Sequence, residues 1–217
     1  PQAVTVSVTH ALAANKSTLQ TVYTVYGSGD VQIDSTLTPG EDLPELPRIG
    51  MQMQMPGDFC TMQWFGRGPQ ESYQDRKTGY AVGLYQADVY EPEHVYVRPQ
   101  ENGNKTDVRW AAWTDGRGTG LVAVGAPLIN ASAWGYTMQD LEQARHIHEL
   151  PRRETITVNI DYKQTGVGGD NSWGARPHPQ YTLQADKPYQ WKVRLSPVKN
   201  AKKDDFEKVF RRVLPKI

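Results

Sequence analysis

The side chains able to do chemistry in this sequence are few, and their spacing excludes more than it offers. Cys60 is the single cysteine, so no intramolecular disulfide forms and no second thiol exists to share a metal. In its apolar surroundings it reads as a packed thiol rather than a nucleophile. His146-Ile147-His148 lacks the i, i+4 spacing of a helical zinc-protease motif. On a strand the two rings would share a face, so a metal site stays open beside the plainer reading as unligated histidines. No G-x-S-x-G is present to raise a serine nucleophile on a strand-turn-helix elbow. Among the carboxylates, Glu91 and Glu93 would stand about 7 Å apart on one strand face, and Glu71 and Asp75 share a loop. Glycoside hydrolysis requires two carboxyl groups facing across the scissile bond, roughly 5–5.5 Å or 6.5–9.5 Å apart. Such spacing is common by chance, and both pairs read as solvated surface charge. The chain thus offers no convincing catalytic dyad of its own.

Two loops stand out for binding rather than catalysis. Trp64 to Lys77 (WFGRGPQESYQDRK) runs from an apolar start through a Gly-Pro turn into a charged segment. Gly166 to Gly174 (GVGGDNSWG) sets Trp173 in the middle of a Gly/Asp/Asn loop, beside Asp170, Asn171 and Ser172. An indole face matches the C–H patch of a pyranose, and carboxylate and amide groups match its hydroxyls, so this composition suits sugar recognition. Trp110 and Trp191 lie inside strand patterns and read as core, whereas Trp173 reads as a binding platform.

The elements that must position these loops are strands. Val4, Val6 and Val8 share a face, and a run from Thr18 to Tyr26 ends at Gly27-Ser28-Gly29-Asp30, after which Val31 to Leu37 follows as the return strand of a hairpin. Gly40 to Arg48 reads as a loop on its prolines, and Ile49 to Met55 alternates, with Met51, Met53 and Met55 on one side. Thr106 to Trp113 and Leu121 to Val124 form a hairpin in which Asp115-Gly116 supplies the positive φ, and the Gly116, Gly118, Gly120 series is a turn, not a phosphate loop. Thr155 to Tyr162 and Tyr189 to Leu195 complete the strands. Short helices are predicted at Met138 to Arg145, with Thr137 as N-cap and Asp140 three residues on, and from Lys202 to Leu214, where Phe206, Val209, Phe210, Val213 and Leu214 share a stripe. With 19 Gly and 15 Pro spread over 217 residues, a helical bundle is disfavoured. A single antiparallel β-sandwich is expected. The 24 Lys+Arg balance 24 Asp+Glu, which argues against nucleic acid or an anionic membrane as partner. The N-terminus, without an initiator Met or a signal pattern, reads as that of a mature or excised fragment, and the compartment stays open between cytoplasm and periplasm. Sequons at Asn15, Asn104 and Asn130 decide nothing by themselves.

At Trp64 to Lys77, Pro99 to Trp110 (PQENGNKTDVRW) and Gly166 to Tyr181 (GVGGDNSWGARPHPQY), in that order, the sequence resembles the C-terminal, small-chain-like fifth domain of glycoside hydrolase family 2 β-galactosidases. The resemblance runs over about residues 1–197, leaving 198–217 as a helical tail. It implies an all-β, galactose-mutarotase-like super-sandwich with a short C-terminal helix, following a catalytic TIM barrel in the same polypeptide. The two catalytic glutamates and the active-site magnesium would belong to that barrel, so this chain, inactive alone and without a cofactor, would contribute substrate contacts to a retaining β-galactosidase that is a homo-oligomer. By the family's motifs, Trp173 would stack on sugar, with Asp170 and Asn171 in the same loop, and Gly68 and Glu71 would belong to a mobile loop at the entrance. Asn171 departs from the family's second Asp, which puts a charged role there in doubt. Rival readings are a free-standing carbohydrate-binding module and an aldose 1-epimerase. The latter needs a Glu base and a His acid, for which His94, His146, His148 and His178 are available but in no matching motif.

Overall fold

Alternating valines and threonines at the start of the chain give β1 (Ala3–Leu12), and the runs flanking the Gly-Ser-Gly-Asp turn give β2 (Ser17–Tyr26) and β3 (Val31–Thr38), as seen in a computed structural model that describes residues 3–91, 94–171 and 173–215. Gly29 takes φ +86° in that turn, a conformation the missing Cβ permits. There follow β4 (Arg48–Pro56), β5 (Thr61–Gly68), β6 (Ala81–Asp88), β7 (Lys105–Thr114), β8 (Gly120–Trp134), β9 (Thr155–Gln164) and β10 (Tyr189–Val198). All pairings between these strands are antiparallel. The expectation of an all-β antiparallel architecture therefore holds. β5 and β6 are additions to it: the segment read as a loop from Trp64 begins as strand.

One long strand organises the sandwich. Residues 120–126 of β8 pair with β10, while 130–134 of the same strand pair with β9, and β7 lines the opposite edge of both halves. Two wings therefore leave one edge of β8: β10-β3-β2-β1 and β9-β4. They face each other across a core in which Ile49, Ile156, Val158 and Ile160 of one wing meet Trp191 and Val193 of the other, over Trp64, Ala111 and Trp113. Tyr162 of β9 and Trp191 of β10 stack across this gap with centroids 5.9 Å apart.

β7 is buried on both faces because alternate residues serve different neighbours. Ala111 and Trp113 point into the main core, while Trp110 and Ala112, with Val122, point outward against Phe206 and Val209 of α2 (Lys203–Arg211). Arg194 donates to the carbonyls of Val209, Phe210 and Arg212, tying the helix C-terminus to β10. The predicted helix thus ends early: Val213 lies beyond it and is 91% exposed. α1 (Met138–Gln143) forms as the capping-box sequence requires, with Thr137 accepting from the amide of Asp140 and Asp140 accepting from Thr137. The Asp115 turn departs from expectation in detail. Asp115 Oδ1 accepts from the amides of Arg117 and Thr119, both at 2.8 Å, and it is Gly118, at φ +76°, not Gly116, that supplies the left-handed residue.

Candidate functional site

The charged loop after β5 is held from inside. Gly68 ends that strand against Tyr85, where an added Cβ would meet ring carbon Cδ2 at 2.6 Å. Glu71, only 6% exposed, is not the solvated charge its loop position suggested. Its Oε2 accepts from the amide of Gly103 at 2.7 Å, and its Oε1 accepts from Arg76 Nη2 at 2.5 Å and from the Tyr96 hydroxyl. Arg76 also lies over the ring of the buried Tyr73, 4.9 Å from its centroid. Ser72 and Asn104 lock the same loop to β7: Ser72 N donates to Asn104 O and Asn104 Nδ2 to Ser72 O.

A second tier lies beneath. The Tyr73 hydroxyl donates to Glu101 Oε1 at 3.4 Å, Arg48 bridges Glu101 Oε2 at 3.3 Å, and Arg48 Nη2 pairs with Asp161. Burial pushes both carboxyls up, Glu101 and Asp161 alike, against the opposing pull of the Arg48 guanidinium. The Tyr73 phenol is driven well above its usual range by burial and by the nearby Glu101 and Glu71. It stays a neutral donor.

Asp75 joins this loop to the second one. Its Oδ2 accepts from the amide of Gly168 at 2.7 Å, while its Oδ1 is buried without a hydrogen-bond partner among the described residues. The approach is close enough that a Cβ on Gly166 would meet Asp75 Cγ at 2.7 Å. Beyond this latch the Asn171 side chain accepts from the amide of Trp173 at 2.8 Å, an Asx turn. Gly174 follows at φ +96°. Trp173 is 91% exposed, whereas Trp110 and Trp191 are buried. Asp170 is exposed and meets His178 Nε2 at 2.7 Å. Ser172 lies outside the described residues. The structure therefore brings the Glu71 and Trp173 loops into contact through Asp75, and turns the Glu71 carboxylate inward while Trp173 points out.

Other candidates fall elsewhere. Glu91 sits in a turn after β6, its amide bonded to Asp88 O, not on a strand, because β6 ends at Asp88; Glu93 lies outside the described residues. His146 precedes and His148 sits within a 3-10 turn, Ile147–Glu149, instead of both lying on a strand, with rings stacked 5.5 Å apart. His94 packs edge-on against Tyr96. The histidine–carboxylate pairs among the described residues, His146–Glu149 and His178–Asp170, are exposed and local, unlike an acid and base facing across a cavity. A cavity of about 200 Å³ does lie behind the Glu71 anchor, walled by Tyr90, Tyr96, Trp134 and Tyr136, with Asn102 and Lys105 among its polar groups. The Cys60 thiol is half-buried and pushed up by that burial, as for a packed thiol. Asn104 and Asn130 are buried, so neither sequon is presented for modification in the folded chain. Sequence reasoning missed Asp75 as a latch and Arg48, Tyr73 and Glu101 as the tier beneath the Glu71 loop.

Three comparisons bear on this arrangement. The family model described as beta galactosidase small chain matches residues 1–195. A beta-galactosidase of Priestia megaterium is 43% identical over 195 residues, covering 90% of this chain and 19% of the relative, and one of Halalkalibacterium halodurans is 38% identical over 183 residues, covering 82% and 18%. The chain thus spans about a fifth of the length of these curated relatives. Among solved structures, a GalM/aldose epimerase homologue from C. elegans matches with a TM-score of 0.41 at 10% identity, covering 92% of this chain and 66% of that one. A galactose mutarotase related enzyme from Lactobacillus acidophilus matches at 0.40 and 8%, covering 92% and 69%.

Proposed function

The chain belongs to the beta galactosidase small chain family, and on that footing we propose that it is the substrate-contacting, non-catalytic part of a glycoside hydrolase family 2 β-galactosidase. In this reading the retaining hydrolysis of terminal β-D-galactosides is done by a glutamate pair in an upstream TIM barrel, which also holds magnesium. The whole enzyme is a homo-oligomer. The observation that carries the proposal is Trp173, a large indole held almost fully exposed on a loop that the rest of the molecule fastens. An exposed indole costs solvation, and stacking on the C–H face of a galactose offsets it. Asp170 and Asn171 stand beside it as hydroxyl partners, and the loop through Gly68 and Glu71 shapes the entrance. Because Glu71 is bonded inward, its role is to fix the loop's path rather than to touch sugar.

Only one wall of a pocket is present, so sugar affinity for the chain alone is weak. The test compares hydrolysis of a chromogenic β-galactoside by the 217-residue chain and by the same chain joined to its upstream domains, with galactose mutarotation followed in parallel. Activity in the joined chain alone supports the proposal; hydrolysis or mutarotation by the 217 residues alone overturns it. In the joined enzyme Trp173→Ala raises KM and lowers kcat/KM. Unchanged kinetics would remove the stacking role.

A further inference from the structure

We infer that His146, His148 and Glu149 form a surface site for a zinc ion. The chain turns through the 3-10 segment Ile147–Glu149, which brings one nitrogen of each imidazole and one carboxylate oxygen within 4.8 Å of one another. With Zn–N bonds of about 2.0–2.1 Å, two imidazoles on one tetrahedral ion have ring centroids about 5.2 Å apart and neighbouring donor atoms about 3.4 Å apart. Here the centroids are 5.5 Å apart, and His146 Nδ1 already lies 2.9 Å from Glu149 Oε1. The spacing is thus within a small side-chain rotation of a ligand set. The two nitrogens and one oxygen suit zinc, and not the all-oxygen preference of magnesium.

Two further features favour a bound ion over a chance cluster. The three side chains are exposed, so no buried contact has to be broken for them to turn. The carboxylate is already oriented from behind, because Glu149 Oε2 accepts from the amide of Arg145 at 2.8 Å, the kind of outer contact that steadies a metal-bound carboxylate. Three protein ligands leave the fourth position to water. Ile147 of the same turn and the following Leu150 line the cavity bordered by Tyr136, so an ion on the outer side would fasten this turn.

Titration calorimetry of the 217-residue chain with zinc chloride, at neutral pH and with magnesium chloride as the parallel ligand, tests the site. The expected result is one zinc per chain, no comparable magnesium binding, and a loss of zinc affinity of at least about tenfold in each of His146→Ala, His148→Ala and Glu149→Gln. His178→Ala, at the separate Asp170 pair, leaves the affinity unchanged. Equal affinity in His148→Ala and the unaltered chain, or saturation only at several ions per chain, overturns the site. Because none of the three side chains is buried, circular dichroism of each variant is expected to match the parent and so separates lost ligation from lost folding.

Discussion

Replacing Asp75 by Ala removes the acceptor of the Gly168 amide, the bond that fastens the Trp173 loop to the Glu71 loop. A hydrogen bond to a charged acceptor contributes about 1.5–3 kcal/mol net. Asp75 also keeps Oδ1 buried without a hydrogen-bond partner among the described residues, at a cost of about 1–3 kcal/mol that the variant relieves. Global stability therefore changes little, by about 2 kcal/mol at most in either direction. The Gly168 amide reports the lost bond directly, because Asp75 Oδ2 is the acceptor that protects it. Exchange of that amide is therefore expected to rise by roughly 10–100-fold, since each factor of ten corresponds to about 1.4 kcal/mol. The assay is amide hydrogen exchange at Gly168, with the amides of β7 as the global reference. Gly166→Ala attacks the same latch from the other side, its Cβ placed 2.7 Å from Asp75 Cγ, and is expected to speed the same amide. Wild-type exchange at Gly168 in Asp75→Ala, with β7 unchanged, refutes the latch.

Three further perturbations test the scaffold. Phe206→Ala, which empties the contact between α2 and Trp110, is expected to lower stability by about 3–5 kcal/mol in urea unfolding. Arg48→Met leaves Asp161 and Glu101 buried without their cation and costs about 3–5 kcal/mol at pH 7. Both carboxyls already sit above their usual values, so their protonated forms suit the fold and the loss shrinks as pH falls through the raised values; unfolding at pH 7 and pH 4.5 checks this. Asp140, held well below the usual carboxylate range chiefly by its Arg153 bonds, stabilises the fold above its ordinary value of 3.8 and loses that contribution as pH falls below it. Asp140→Asn is therefore expected to cost about 1–2 kcal/mol at neutral pH and progressively less as pH falls below 3.8, read from paired thermal melts.

How much of this was legible depends on how local the cause is. Alternation in β2, β3, β4, β7, β9 and β10 and the Thr137 capping box are local, and the structure follows them. β5 and β6 escaped because Gly66, Gly68, Gly83 and the arginine between the first two dilute the apolar pattern, although each glycine is needed for close contact with Val108 or Tyr85. The exposure of Trp173 could be read from its Gly/Asp/Asn neighbours. The burial of Glu71 could not, because its donors come from Gly103, Arg76 and Tyr96, two of them on a distant loop. Nor could the Asp75 latch, whose partner is 93 residues away.

The branching of both wings from β8 also sets an order of assembly. Among the described residues β3 gains its only neighbour besides β2 when β10 arrives, pairing Ser35 with Trp191 and Ile33 with Val193. On a ribosome those partners emerge about 150 residues after β3, a delay of roughly 8–30 s at ordinary rates of synthesis. Through that interval β1, β2 and β3 form a bare three-stranded meander with Leu19, Ile33 and Leu37 uncovered. The slow step of folding is then closure of the last strand onto the first three, a long-range event whose rate is limited by chain search rather than by local propensity.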